Sequence, residues 1–354
     1  MEKKKIAVAM SGGVDSSVAA AILLKEGHEI CGITMIISSD EKGNPDDKAA
    51  EDAKYICNQL GIKHYAVDLR DEFHKKVIKP FADEYSSGKT PNPCVICNER
   101  IKFGALIDYA QSLGFPYFAT GHYLNLEYDD STQTYKILQA KDEEKDQAYM
   151  LYRLNQEVLS KLVFPLSDYT KDEVYEIAKK YGLKSADSQE SQDICFVPDM
   201  QSYSSYLEDK NLIRHKEGYF IDTDGNKIKR HEGVYNYTIG QRRGLGIALG
   251  YPAYVVKINY DTGDIIVGDK TNLYSNEMVV SNVNWISKKY IPGDNLEVKV
   301  RYSTYKHKAI IKEKDKDNYI ISFYDNVRAI TPGQSAVFYK GKELIGGGFI
   351  KEVL

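Results

Sequence analysis

The nine residues Ala9-Met10-Ser11-Gly12-Gly13-Val14-Asp15-Ser16-Ser17 constrain this chain more than any other stretch. Before them comes a short apolar run, residues 5–10. After them comes a helical pattern with Val18, Ala19, Ile22 and Leu23 on one face and Gly27 past its end. The pattern then repeats. Residues 30–37 read as a buried strand, and 46–60 as a helix striped by Ala49, Ala53, Ile56, Cys57 and Leu60. Residues 64–69 and 117–122 read as a third and a fourth strand. Repeated strand–helix–strand order implies an open parallel sheet with helices on both faces, an α/β fold.

A helical interlude follows over residues 146–210. Its clearest member opens on a capping box, Thr170 and Glu173, carries Val174, Ile177, Ala178 and Tyr181 as its stripe, and closes at Gly182. From about residue 215 the period falls to two. Residues 219–221 and 227–229 flank Asp224-Gly225, and 254–258 and 265–267 flank a second turn. Further short strands lie near 296–302, 308–313, 319–324, 335–339 and 344–350. The expectation is an α/β domain over 1–208 and two small β-rich domains, 209–278 and 279–354, the last a β-barrel. Residues 275–284 are the expected join between them.

The opening loop has the chemistry of an anion site. Two glycines let the backbone approach a phosphate, Ser11, Ser16 and Ser17 add hydroxyls, and the helix N-terminus adds N–H groups and a favourable dipole. Asp15 is a candidate to hold Mg2+ among the phosphates. The run Ser-Gly-Gly-Val-Asp-Ser at a first βα junction resembles the pyrophosphate-binding loop of the ATP pyrophosphatase superfamily. That group adenylates a carbonyl oxygen and releases pyrophosphate. Ser87-Gly88-Lys89-Thr90 ends like another phosphate loop, but Asp83 stands where its first glycine should be. Gly244-Leu245-Gly246 lacks the spacing of a dinucleotide fingerprint.

Five cysteines sort into two groups. Cys31 falls in a buried-strand pattern and Cys57 on an apolar helix face, as core residues do. Cys94 and Cys97 lie in the proline-punctuated stretch 90–98, read as a loop before a helix around 101–112. Arg100 and Lys102 nearby should lower their thiol pKa values. Cys195 lies in a polar loop, 188–196. Redox catalysis, metal ligation and inert surface thiols all remain open on these residues alone.

Taken in order, the loop at 11–16, residues 90–103, Thr120-Gly121-His122-Tyr123, Lys145-Asp146-Gln147, Asp193-Ile194-Cys195-Phe196, residues 235–246 and 331–339 resemble the tRNA-specific 2-thiouridylase family over nearly the whole chain. The resemblance implies a PP-loop domain of the adenine nucleotide alpha hydrolase type. Residues 9–16 (Ala9, Met10, Ser11, Gly12, Gly13, Val14, Asp15, Ser16) would bind ATP, with Met35 and Gly121 lining the nucleotide. ATP would adenylate O2 of the wobble uridine in tRNAs such as those for Lys, Glu and Gln. Cys195 would take sulfur from an upstream carrier as a persulfide and deliver it to C2, with Cys97 as partner thiol in a Cys97–Cys195 disulfide. Asn92, Pro93 and Cys94 would lie against the target base. His122, Lys145, Asp146, Gln147, Arg301, Tyr302 and Gln334 would contact tRNA.

One position departs from the commoner family pattern, which has Asp where this chain has Cys94. The change makes Cys94, Cys97 and Cys195 candidate ligands of a [4Fe–4S] cluster whose open iron would carry external sulfide, an alternative to the persulfide. Elsewhere Lys227, Lys229, Arg230, Arg242 and Arg243 could meet phosphates, with Tyr235 and Tyr237 stacking on bases. Residues 206–354 carry a net excess of five basic residues against nine acidic ones in 1–205, giving −4 overall. Without a signal peptide or an apolar run near 20 residues, the expectation is a cytoplasmic protein with no membrane partner.

Overall fold

The computed structural model describes residues 2–37, 45–184, 194–198 and 201–354, with backbone only at 45–47. Residues 185–193, which hold most of the polar loop expected around Cys195, lie outside the described residues. The chain divides into two compact units. One comprises residues 1–77, 94–196 and 342–345; the other comprises 78–93, 197–341 and 346–354.

The first unit is built on β1 (Lys5–Ala9), β2 (Glu29–Ile36), β3 (Lys63–Asp68), β4 (Tyr117–Ala119) and β7 (Leu162–Val163). They form one parallel sheet in the order β3-β2-β1-β4-β7. The sequence reading contains the first four and misses β7, which is two residues long. Helix α1 (Val14–Lys25) and α2 (Pro45–Leu60) pack on the sheet. Ile6, Val8, Val18, Ala19, Leu23, Ile56 and Cys57 share one core with Val174 and Ala178 of helix Lys171–Lys180. Ile6, Val8, Val18 and Leu23 are almost wholly buried, each contributing roughly 1.5–3 kcal/mol. A hairpin, β5 (Asn125–Asp129) and β6 (Thr134–Leu138), follows β4. Its second strand pairs with Glu343 and Leu344.

The strand order determines where a ligand can sit. From β1 the chain moves outward through β2 to β3, then returns to place β4 on the other side of β1. The connections after β1 and β4 therefore diverge, which opens a crevice at the carboxyl ends of those two strands.

The second unit is mostly antiparallel. A four-stranded sheet has the order β10 (Tyr254–Ile258), β11 (Ile265–Gly268), β8 (Gly218–Ile221), β9 (Lys227–His231). A six-stranded barrel runs β12 (Tyr274–Trp285), β15 (Asn318–Arg328), β14 (His307–Asp315), β13 (Asn295–Lys299), β16 (Ser335–Lys340), β17 (Glu343–Val353), and closes by pairing β12 with β17. Residues 275–284 are therefore not a join but the body of a barrel strand. Met278 and Val280 are buried between two partner strands, while Asn276 and Asn282 on either side of them are exposed.

Candidate functional site

The loop after β1 is held in shape by its own hydroxyls. Ser16 Oγ accepts from the Ser11 N–H at 3.2 Å and donates to the Gly13 carbonyl at 3.1 Å. Ser17 Oγ donates to the same carbonyl at 2.8 Å. Below the loop, Met10 donates its N–H to Ile33 O at 2.8 Å, while Thr34 Oγ1 donates to Met10 O at 2.7 Å. Gly12 has φ +78°, and an added Cβ would lie 2.9 Å from Asp52 Cβ, so only glycine suits both its backbone and its neighbour. Gly13 is the N-cap of α1 and no side chain caps that terminus. Ser11 Oγ accepts the Gly13 N–H at 3.4 Å, and a helix start of this kind is where an anion can meet free N–H groups.

The loop after β4 comes against this turn. A Cβ on Gly121 would lie 2.7 Å from the Asp15 carbonyl carbon and 2.8 Å from Ser16 N. The absence of a side chain there lets the two crevice loops touch. Ala9 ends β1, and half-buried Met35 lies near the end of β2 beside Val67. Residues 9–16 and Gly121, expected at the nucleotide from sequence, are brought together.

Asp15 is gripped from behind. Lys171 Nζ lies 2.8 and 2.9 Å from its two carboxylate oxygens, and Tyr123 OH donates to Oδ1 at 2.7 Å. Neither partner is a site residue by sequence reasoning. A lysine after a helix cap looks like any solvated charge, and it meets Asp15 only through the packing of its helix on α1.

The cysteines depart from expectation. Pro93–Cys97 is the first turn of a helix that continues through a wider-turned stretch, Asn98–Ala105, into Leu106–Ser112. Pro93 starts the helix rather than breaking it, so Cys94 and Cys97 sit on a helix and not in a loop. Their thiols are not acidified. Burial pushes Cys97 up to about 11 and raises Cys94 as well, outweighing the nearby Lys102 ammonium that pulls both down. Cys31 and Cys57 are core residues, each raised by burial to about 12. Cys195 is exposed. Among the described residues, which include all five cysteines, there is no disulfide. Among the described residues, no three His, Cys, Asp or Glu side chains are placed to share a metal ion.

His122 lies close to Lys102. Its imidazole packs against Phe103, with ring centroids 5.7 Å apart, and its Nδ1 is 2.8 Å from Thr120 Oγ1. Burial, reinforced by Lys102, pushes it down to about 3. Lys145-Asp146-Gln147, a solvated cluster on residue type alone, is not one. Asp146 is only 4% exposed and accepts from the N–H groups of Ala140 at 3.0 Å and Ala148 at 3.4 Å. Gln147 Oε1 accepts from Tyr123 N–H at 3.1 Å.

In the second unit, Gln334 Nε2 donates to Thr90 O at 2.6 Å, which anchors the strand of chain leading to Asn92 and Pro93. One Arg301 amino group serves Ile239 O, Ala329 O and Thr331 Oγ1 at 3.1, 2.8 and 2.6 Å. Tyr302 is exposed. Tyr235 is buried, bonded to Glu208 and to His215, and cannot stack on a base. Tyr237 is half-buried with its ring edge on Phe220. Lys227, Arg242 and Arg243 remain exposed, while Arg230 pairs with Glu217 and Lys229 donates to Gly246 O.

Three family models match the chain. They are described as a tRNA methyl transferase HUP domain at residues 4–199, a tRNA methyl transferase PRC-barrel domain at 206–269 and an aminomethyltransferase beta-barrel domain at 275–350. The tRNA-specific 2-thiouridylase MnmA of Carboxydothermus hydrogenoformans is 43% identical, covering 99% of both chains. The tRNA-specific 2-thiouridylase MnmA 1 of Caldanaerobacter subterraneus is 44% identical over 98% of each. A solved structure, the U34-tRNA thiolase NcsA from Methanococcus maripaludis with its [4Fe-4S] cluster, shares 22% identity and covers 60% of this chain and 67% of its own. Its TM-score of 0.35 is too low to bear on chemistry.

Proposed function

This chain belongs to the tRNA-specific 2-thiouridylase family, and on that premise we propose that it uses ATP to activate O2 of a uridine in tRNA and replaces that oxygen with sulfur. The supporting observation is the contact of Gly121 with the first turn of α1. It builds a backbone-lined phosphate cradle at the sheet's switch point.

In this reading residues 9–16 hold the phosphates of ATP, with Met35 and Gly121 beside the nucleotide. Asp15, the loop carboxylate expected from sequence to hold Mg2+, has both oxygens engaged by Lys171, so it does not fit a metal ligand's role in this arrangement and the metal takes no step through it. The wobble uridine of tRNAs such as those for Lys, Glu and Gln attacks the α-phosphorus through O2. Pyrophosphate leaves, and C2 now carries AMP in place of a poor leaving group. A persulfide on Cys195, charged by an upstream sulfur carrier, adds its terminal sulfur to C2 and AMP departs. Cys97 thiolate then attacks the Cys195 sulfur. The bond between the two sulfurs breaks, the outer sulfur stays on C2 as the thiocarbonyl, and a Cys97–Cys195 disulfide remains for an external thiol to reduce. Asn92, Pro93, Cys94, His122 and Lys145 are the residues we assign to the base and the surrounding tRNA, with Asp146 and Gln147 supporting them. Arg301, Tyr302 and Gln334 would serve tRNA from the second unit.

The test is the fate of ATP labelled at the α-phosphate. Incubated with unmodified tRNA and a persulfide donor, the enzyme should release AMP and pyrophosphate in step with RNA thiolation. ADP as the product would refute adenylation.

A further inference from the structure

Lys171 is the one lysine or arginine among the described residues that is buried, at 7% exposure. Burying an ammonium is costly unless it is paired. An apolar side chain of similar length would suit a core position better. Here the partner is the carboxylate of the phosphate loop. The pair is asymmetric: the Lys171 side chain is 9% exposed, whereas that of Asp15 is 32% exposed.

The lysine is also held firmly. Its N–H donates to Asp142 Oδ2 at 3.0 Å, and it opens a helix whose N-cap Thr170 exchanges hydrogen bonds with Glu173. Its ammonium lies 5.1 Å from the ring centre of Tyr175 and 5.8 Å from that of Tyr123. Val174 and Ala178, one and two turns on, pack in the core shared with α1. The cation is thus fixed behind the first turn of the helix whose N-terminus faces the crevice.

We propose that Lys171 belongs to the nucleotide site: its ammonium neutralises Asp15, so that the loop offers the phosphates of ATP a cradle without a facing negative charge. The inference rests on the assignment of residues 9–16 as an ATP site. Without Lys171, the Asp15 carboxylate would keep only the neutral Tyr123 hydroxyl as a partner, and its charge would repel a polyanion at the loop in a partly desolvated crevice where charges act strongly. With it, the helix dipole, the free N–H groups and the ammonium act in the same direction.

The test is equilibrium binding of a fluorescent ATP analogue in EDTA, so that no divalent cation contributes, with a thermal melt of each variant. Wild type should bind. If it does not, the ATP assignment itself fails. Lys171→Met should weaken binding at least about tenfold, and Lys171→Arg should stay within a few-fold of wild type. Asp15→Asn/Lys171→Met should recover much of the loss, because the repelling charge is gone. Asp15→Asn alone leaves the buried lysine in place and should bind at least as tightly as wild type. Should Lys171→Met not fold, that last variant decides, and weaker binding by it overturns the proposal. Wild-type affinity in a folded Lys171→Met, or a double variant no better than the single, equally overturns it.

Discussion

Gln147 clamps the backbone of Tyr123 at both polar groups: its side-chain oxygen accepts the Tyr123 N–H at 3.1 Å, and its own N–H donates to the Tyr123 carbonyl at 2.9 Å. The far end of Tyr123 donates to Asp15. A residue matched to tRNA recognition by family resemblance is thus two hydrogen-bonded steps from the phosphate loop.

That chain predicts that Tyr123→Phe will lower the stability of the fold by about 1.5–3 kcal/mol, the worth of a hydrogen bond to a charged group. Gln147→Ala should cost a similar amount. Urea unfolding measures both. A change within error for both variants would mean that the clamp is not felt in solution.

Gly121→Ala puts a methyl carbon where Asp15 and Ser16 already stand. The loops must separate, so ATP affinity should fall at least about tenfold while tRNA affinity, measured by filter binding, changes little. Unchanged ATP binding would remove the crevice from the account.

The cysteines should differ sharply in reactivity. At pH 7 iodoacetamide should label exposed Cys195 first. Cys97, raised to about 11, should be labelled slowly, its rate climbing roughly tenfold per pH unit as thiolate forms. Peptide mass mapping across pH 7–10 reads this directly. Equal labelling of the two at pH 7 would contradict the burial argument.

His122, held down to about 3 against an ordinary 6.5, stays neutral in the fold but takes a proton once unfolded. Its contribution to stability is complete above pH 6.5 and is lost as pH falls toward 3, at up to about 1.4 kcal/mol per unit. His64, His231 and His307, also lowered mainly by burial, act with the same sign. Unfolding free energies between pH 7 and 5 should therefore slope downward, and His122→Gln should flatten that slope. An equal slope in the variant would show that His122 is protonated in the fold.

Much of the first unit is legible from local pattern, because β1 and β2 are buried runs and α2 and the helix Lys171–Lys180 are amphipathic. The capping box at Thr170 and Glu173 forms as its spacing implies. Local pattern fails where distant packing decides. Pro91-Asn92-Pro93 reads as a loop, yet Pro93 at a helix start needs no N–H. Met278-Val279-Val280 is too short an apolar run, with Asn276-Glu277 before it and Ser281-Asn282 after it, to announce a twelve-residue strand until β15 and β17 flank it. Lys102 looks able to acidify two thiols until the burial of both is known. Lys171 carries no signal at all, since its partner is 156 residues away.

The most direct test of the central claim is nucleoside mass spectrometry of unmodified tRNA incubated with the enzyme, ATP, Mg2+ and a persulfide donor. The account predicts 2-thiouridine at the wobble position, lost when ATP is omitted and in Cys195→Ser. Intact, tRNA-bound enzyme that yields no 2-thiouridine from either a persulfide or a sulfide donor would contradict it.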